Sequence, residues 1–149
     1  MTVLREVIEV ARSPEEAFDA VADFSSAERW DPGVLRAERI QRGDGDPSGV
    51  GARYRLTVTF RGIESEMTYV TTEYLRPKRV VLEGEGPKIT AKDTMEFEAG
   101  ADGGTRVTYE ADLRLRGFAK LAEPLLKGAF DEMGRKAILG MQVWLGERG

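Results

Sequence analysis

The stretch from Gly117 to Gly149 has no strand-like alternation and spaces its apolar residues mostly four apart: Leu121, Leu125, Ala129, Met133, Ala137, Met141 and Trp144. On a helix of about 3.6 residues per turn this predicts one long amphipathic helix. Most of what precedes it alternates instead. Tyr54, Leu56, Val58 and Phe60 share one parity, as do Met95 and Phe97, and so do Val107, Tyr109, Ala111, Leu113 and Leu115. Period-two alternation predicts strands of a sheet with one apolar face. A one-faced sheet and a long amphipathic helix satisfy each other's need for burial. Where the sheet curls round the helix, the space between them is a candidate cavity.

Composition narrows the chemistry. The 149 residues fit one domain spanning 1–149, large enough for a real core. The chain contains neither Cys nor His, and no Asn. Ser-His-Asp triads, Cys-His pairs and His- or Cys-based zinc sites are therefore excluded within the chain. Acid–base chemistry would fall to Asp, Glu, Tyr, Lys or Arg. The formal charge is −4 with no basic block, so no nucleic-acid partner is expected. No apolar run reaches the roughly 20 residues of a membrane span. The N-terminal Met1-Thr2-Val3-Leu4-Arg5-Glu6 lacks the apolar core of a signal peptide, and with the absence of Cys this predicts a cytoplasmic protein.

Local signals set the element order. Thr2–Ala11 is predicted as a strand. Ser13-Pro14-Glu15-Glu16 carries a cap, a proline suited to the first helical position and a capping-box glutamate, so a short helix follows. Ser25-Ser26-Ala27-Glu28 repeats the spacing and predicts a second short helix ending near Trp30, before Asp31-Pro32. Val34–Arg42 is a candidate edge strand, and Gly43–Gly49 a loop. Arg61-Gly62 predicts a two-residue hairpin pairing Val58 with Ser65, Leu56 with Met67 and Tyr54 with Tyr69. Arg79–Glu83 is a short strand, and Gly84-Glu85-Gly86-Pro87 a turn. A last hairpin pairs Phe97 with Val107, Met95 with Tyr109 and Asp93 with Ala111. Pro124 either starts the last helix after a separate turn or kinks it.

The segments Ser13–Phe18, Ala27–Pro32, Gly51–Tyr54, Tyr74–Val80 and Gly104–Tyr109, in this order and spacing, resemble the START-like superfamily, the SRPBCC or polyketide cyclase/dehydrase group. The resemblance spans essentially the whole chain. It implies an α+β helix-grip fold of the START/Bet v 1 type: about seven antiparallel strands curved round a long C-terminal helix, enclosing an apolar cavity. Its members include lipid carriers, hormone receptors, aromatic polyketide cyclases and chaperone co-activators, so three readings stay open. The first is a carrier or binding protein for a polyketide, lipid or isoprenoid. The second is a cyclase or dehydratase using Asp and Tyr. The third is a protein-interaction module, for which no exposed apolar stripe is apparent.

The candidate ligand-contacting residues follow from parity. On the inner face these are Tyr54, Leu56, Val58, Met67, Tyr69, Asp93, Met95, Phe97, Tyr109 and Leu113. Leu125 and Met133 come from the helix stripe. By the resemblance, Trp30 lies near the entrance; alternatively it anchors the short helices. Tyr74 has the wrong parity unless a bulge intervenes. Asp93 is the candidate orienting or proton-transferring group, because a carboxylate on an apolar face is costly unless paired or wetted. Glu6 shares inward parity but suits a pairing or rim role. The Asp44-Gly45-Asp46 loop begins like a calcium loop, yet its twelfth position is Arg55, so no metal is expected there. No cofactor is expected, and the chain is predicted to be a monomer or weak homodimer.

Overall fold

The computed structural model describes residues 1–147, leaving aside the Glu147 side chain; the last two residues of the predicted helix, Arg148 and Gly149, lie outside the described residues. Strand β1 (Thr2–Val10) is followed by helix α1 (Pro14–Ala22), a 3-10 turn (Phe24–Ser26) and helix α2 (Ala27–Trp30). Strands β2 (Val34–Gln41), β3 (Arg53–Phe60), β4 (Ile63–Leu75), β5 (Arg79–Glu85), β6 (Ile89–Ala99) and β7 (Thr105–Leu115) come next. A 3-10 turn (Gly117–Ala122) then leads into helix α3 (Glu123–Glu147). The seven strands form one antiparallel sheet in the order β1-β7-β6-β5-β4-β3-β2, with β2 at an edge as predicted.

The hairpin registers are those the alternation predicts. Leu56 faces Met67 and Tyr54 faces Tyr69 across β3–β4. Met95 faces Tyr109 and Asp93 faces Ala111 across β6–β7. Arg61 and Gly62 both take positive φ, 53° and 81°, the type I′ geometry that suits the twist of a tight hairpin. Register shifts in β2 and between Thr71 and Glu73 in β4 help the sheet curve. The second shift also resets parity. Tyr74 therefore turns inward, its ring 5.2 Å from that of Phe18.

Some local details differ from the prediction: β1 and β2 each end one residue earlier, at Val10 and Gln41. Strand β5 runs two residues further, through Gly84 and Glu85. Asp23 caps the 3-10 turn before the second short helix, its carboxylate accepting from the Ser25 N–H at 3.1 Å, while Ser26, at the start of α2, makes no side-chain cap. Helix α1 does start as predicted, with the Ser13 hydroxyl accepting from the Glu16 N–H at 3.3 Å.

The stripe on α3 is the larger correction. Its inward residues are Leu126, Phe130, Met133, Ala137, Met141, Trp144 and Leu145, while Leu121 and Leu125 are 80% and 84% exposed. At about 100° per residue, a strict four-residue spacing drifts about 40° at each step. Counted back from Trp144, Leu125 is about 100° off the inward line and Leu121 would be about 140° off. Pro124 is the second residue of α3, so the first of its two predicted roles holds: it starts the helix after a separate turn.

Helix α3 lies along β1 and packs its far end against α2. Gly134 meets Leu4 of β1, and Gly140 meets the Trp30 backbone so closely that a Cβ would collide with the carbonyl oxygen. Gly140→Ala is therefore expected to destabilise the protein by about 1–3 kcal/mol, the cost of overpacking at backbone contact. Gly128→Ala, on the same helix with open space around it, is expected to stabilise by roughly 0.5–1 kcal/mol through helix propensity. Urea denaturation of the two variants checks the contrast; equal effects would remove Gly140 from the helix–helix contact.

Candidate functional site

Helix α3 covers only part of the sheet's inner face. Between it and the concave surface of β3–β7 lies a cavity of about 630 Å³. Its walls are apolar: Leu56 and Val58 from β3, Met67 from β4, Ala91 from β6, Ala111 and Leu113 from β7, and Phe130 and Met133 from α3. The inward residues of each strand step from an open end to a closed one. Arg61, Ile63, Glu64, Pro87 and Lys88 border the open end and are exposed. Ala119, Ala122 and Leu126 line it from the last helical turn and the start of α3.

The closed end carries the polar groups. Phe24, Asp31, Tyr69, Asp93 and Tyr109 line it. The Phe24 and Tyr69 rings are 5.0 Å apart. Tyr69 lies over Gly84 on the neighbouring strand, where a Cβ would sit 2.5 Å from its ring; the missing side chain is what lets the ring lie there. Among the described residues the Tyr69 hydroxyl has only the Met67 sulfur as a partner, at 3.9 Å. Tyr109 donates its hydroxyl hydrogen to Asp93 Oδ2 at 2.9 Å. Asp93 is 3% exposed, and its Oδ1 has no hydrogen-bond partner among the described residues. Asp31 follows α2, and its Oδ1 accepts from the Gly33 N–H at 2.8 Å.

Burial governs the charge states. It pushes the Asp93 carboxyl up from 3.8 to about 7; the Tyr109 hydrogen bond opposes the rise and the nearby Asp31 charge adds to it. Burial likewise raises Asp31 to about 6, against the Gly33 hydrogen bond. Tyr69 and Tyr109 are held well above the usual phenol range, by burial first and then by the two carboxylates. The closed end thus presents two protonated phenols and two carboxyl groups whose ionisation burial pushes up towards neutral pH. This is a pole rich in acceptors, able to orient a ligand or to take and return a proton.

Eight of the sequence candidates lie on the cavity wall: Leu56, Val58, Met67, Tyr69, Asp93, Tyr109, Leu113 and Met133. Five lie elsewhere. Tyr54, Met95 and Phe97 have the right parity but sit beyond the closed end, in the core under α1 and the turn after it; the Phe97 ring is 5.3 Å from Phe18. Trp30 is an anchor, not an entrance residue: it is buried, donates to Ser26 Oγ at 3.1 Å and packs edge-on to Phe24 and Tyr109. Leu125 points to solvent. Glu6 is half-buried on β1 opposite Tyr109 and does not line the cavity. Asp31 is the residue that sequence reasoning missed. Its loop position has no parity, and Asp-Pro-Gly signals only a helix stop; the Asx turn to Gly33 is what aims it inward.

Residues 1–138 match the family described as polyketide cyclase / dehydrase and lipid transport. The chain belongs to this family. Solved structures share the fold at low identity. A START superfamily protein from Mycobacterium smegmatis is 14% identical over 100% of both chains, with a TM-score of 0.84. The protein TTHA0849 from Thermus thermophilus is 18% identical over 96% of each, TM-score 0.79. The Zhui aromatase/cyclase from Streptomyces sp. R1128 is 13% identical over 98% of this chain and 94% of its own, TM-score 0.78. A search of curated proteins finds no match. The observed sheet and helix are those of the START-like helix-grip fold. Among the described residues no helix is long and apolar enough to cross a membrane.

The buried carboxyl makes a stability prediction. A raised folded-state pKa contributes stability that is full below the ordinary 3.8 and lost as pH rises through about 7. Asp93→Asn keeps the size and an acceptor for Tyr109 but cannot ionise. It is expected to flatten the fall in stability between pH 5 and 8, and at pH 8 to be more stable than the parent by on the order of 1–4 kcal/mol. Urea denaturation at both pH values tests this. A variant that is less stable at pH 8 would show that the Asp93 charge is compensated in the fold.

Proposed function

We propose that this protein binds a small hydrophobic molecule, of polyketide, lipid or isoprenoid type, in the cavity under α3 as a carrier or binding protein. The observation that carries this is the cavity itself: about 630 Å³, walled by aliphatic and aromatic side chains, with its polar groups gathered at the closed end. That volume is within the range of small-molecule sites. Burial of apolar ligand surface, at about 25 cal/mol per Å², would supply most of the affinity, and the pole would set orientation. Membership of a family described by both cyclase/dehydrase and lipid transport fits such a ligand.

One observation favours a second reading. Asp93, hydrogen-bonded to Tyr109 and near Asp31, has a carboxyl poised near neutral pH where a ligand would reach it. A cyclase or dehydratase of polyketide-like chains needs such a group to take a proton from carbon and return it to a leaving oxygen. The similarity to an aromatase/cyclase points the same way. Under this reading Asp93→Asn lowers turnover by roughly 10²–10⁴ while ligand binding persists. Under the carrier reading there is no turnover to lose.

Two measurements test binding. A ligand at 100 times its dissociation constant is expected to add about 2.7 kcal/mol of stability, read as a rise in melting temperature. Ala111→Phe, which places a ring inside the cavity from β7, is expected to lower affinity at least tenfold, the equivalent of about 1.4 kcal/mol. A broad hydrophobic library that shifts neither protein, or shifts both alike, would overturn the reading.

A further inference from the structure

We propose that the cavity selects hydrophobic molecules bearing a cationic nitrogen, bound with the protonated amine at the closed end between Asp31 and Asp93 and the hydrocarbon towards the mouth. This rests on the binding function proposed above and narrows its ligand class.

The inference comes from what the closed end contains and lacks. Asp93 is almost wholly buried on the cavity wall, its Oδ1 is without a partner among the described residues, and its Oδ2 is held by one neutral donor, Tyr109. The second Asp31 oxygen is likewise unpartnered among the described residues. Among the described residues that line the closed end none is a cation. From β4 the facing titratable group is Tyr69, from β7 Tyr109, and among its described residues α3 lines the cavity with Leu126, Phe130, Met133, Gly134 and Ala137 only. On β1 the residue paired with Tyr109 is another acid, Glu6, which does not line the cavity. The lining cations, Arg61 and Lys88, are exposed at the mouth, beside Glu64.

A buried carboxylate without a cation either takes up a proton or waits for a partner. An ammonium is the ligand group that satisfies both carboxylates and leaves the Tyr69 hydroxyl oxygen to accept a third N–H. A neutral head group can donate to one carboxyl, but leaves the second charge unmatched. An acid would be repelled from the pole and would find its counter-charges only at Arg61 and Lys88.

The test is a matched series, decylamine, 1-decanol and decanoate, each below its micelle concentration, titrated into the intact protein by calorimetry. Like a lysine side chain, the amine stays protonated to pH about 10, so pH changes only the protein. At pH 8 decylamine is expected to bind at least about tenfold tighter than decanol, the scale of a hydrogen bond to a charged group, and decanoate weakest. Lowering the pH to 5 protonates Asp31 and Asp93 and is expected to erase most of the amine's advantage. Asp31→Asn and Asp93→Asn are each expected to reduce the amine-to-alcohol ratio at pH 8, and the pH series on the unsubstituted protein stands if either variant fails to fold. Equal binding of all three probes, or an amine preference indifferent to pH, would overturn the cationic-ligand inference and leave the hydrophobic-binding function standing. Preference for decanoate would overturn it as well. Failure of every probe to bind would overturn both.

Discussion

One helix cannot cover a curved seven-stranded sheet. That mismatch of areas governs the molecule. The strands present an apolar inner face, and α3 lies mainly along its β1 side, reaching β3 through the stacked Phe130 and Phe60 rings, before meeting α2. The uncovered end next to α1 is filled by Phe18, Phe24 and Trp30 from the short helices and the turn between them, which interlock with Tyr54, Tyr74 and Phe97. At the other end no element fills the gap, and the residual volume is the cavity. The same seal turns a groove into a pocket with a closed end. Gly140 matters because it lets α3 come down onto the Trp30 backbone; a wider separation would open the pocket at its sealed end.

The seal also sets the electrostatics. Asp31 is the residue that follows the buried Trp30, so the contact that closes the pocket also brings a carboxyl to it. Asp93 arrives independently, from the register of β6 on β7. Two acids from elements far apart in sequence thus line the same end of the pocket among aromatic rings, Asp93 buried and Asp31 half-buried. In such surroundings the Asp31 charge disfavours ionisation of Asp93, and both carboxylates disfavour ionisation of the tyrosines. The pole is therefore responsive to anything that brings a positive charge or a proton. An apolar wall gives affinity without orientation; this pole is what gives a bound molecule a direction.

The face of each strand residue was legible in the sequence, and its depth was not. Alternation under the Arg61-Gly62 turn assigns Leu56, Met67 and Tyr69 to the inner face, because a one-residue slip would send every apolar side chain to solvent. Nothing in alternation tells Tyr69, on the cavity wall, from Tyr54, directly opposite it in the ladder yet buried beneath the floor. Where the floor falls depends on how far the short helices reach across the sheet, a tertiary fact. Tyr74 needed a bulge that no residue type announces. Asp31 needed an Asx turn in a loop without periodicity. The errors on α3 are of another kind. Apolar residues spaced four apart imitate one stripe over two turns and depart from it over six, so Leu121 and Leu125 counted as core when they are surface.

That departure bears on the mouth. The stretch 118–126 turns Ala119, Ala122 and Leu126 towards the cavity and Phe118, Leu121 and Leu125 outward, with Phe118 93% exposed. Exposed Ile63 borders the mouth from the β3–β4 hairpin. Contrary to the expectation from the sequence, the protein does present exposed apolar side chains, on the very segment that lines the entrance. A hydrophobic ligand leaving the cavity would meet apolar surface before water, which lowers the cost of the intermediate positions on its way out. The wall and pole set how tightly and in which direction a molecule is held. The composition of this short turn, by the same physics of apolar burial, sets how steep the path is between bound and free.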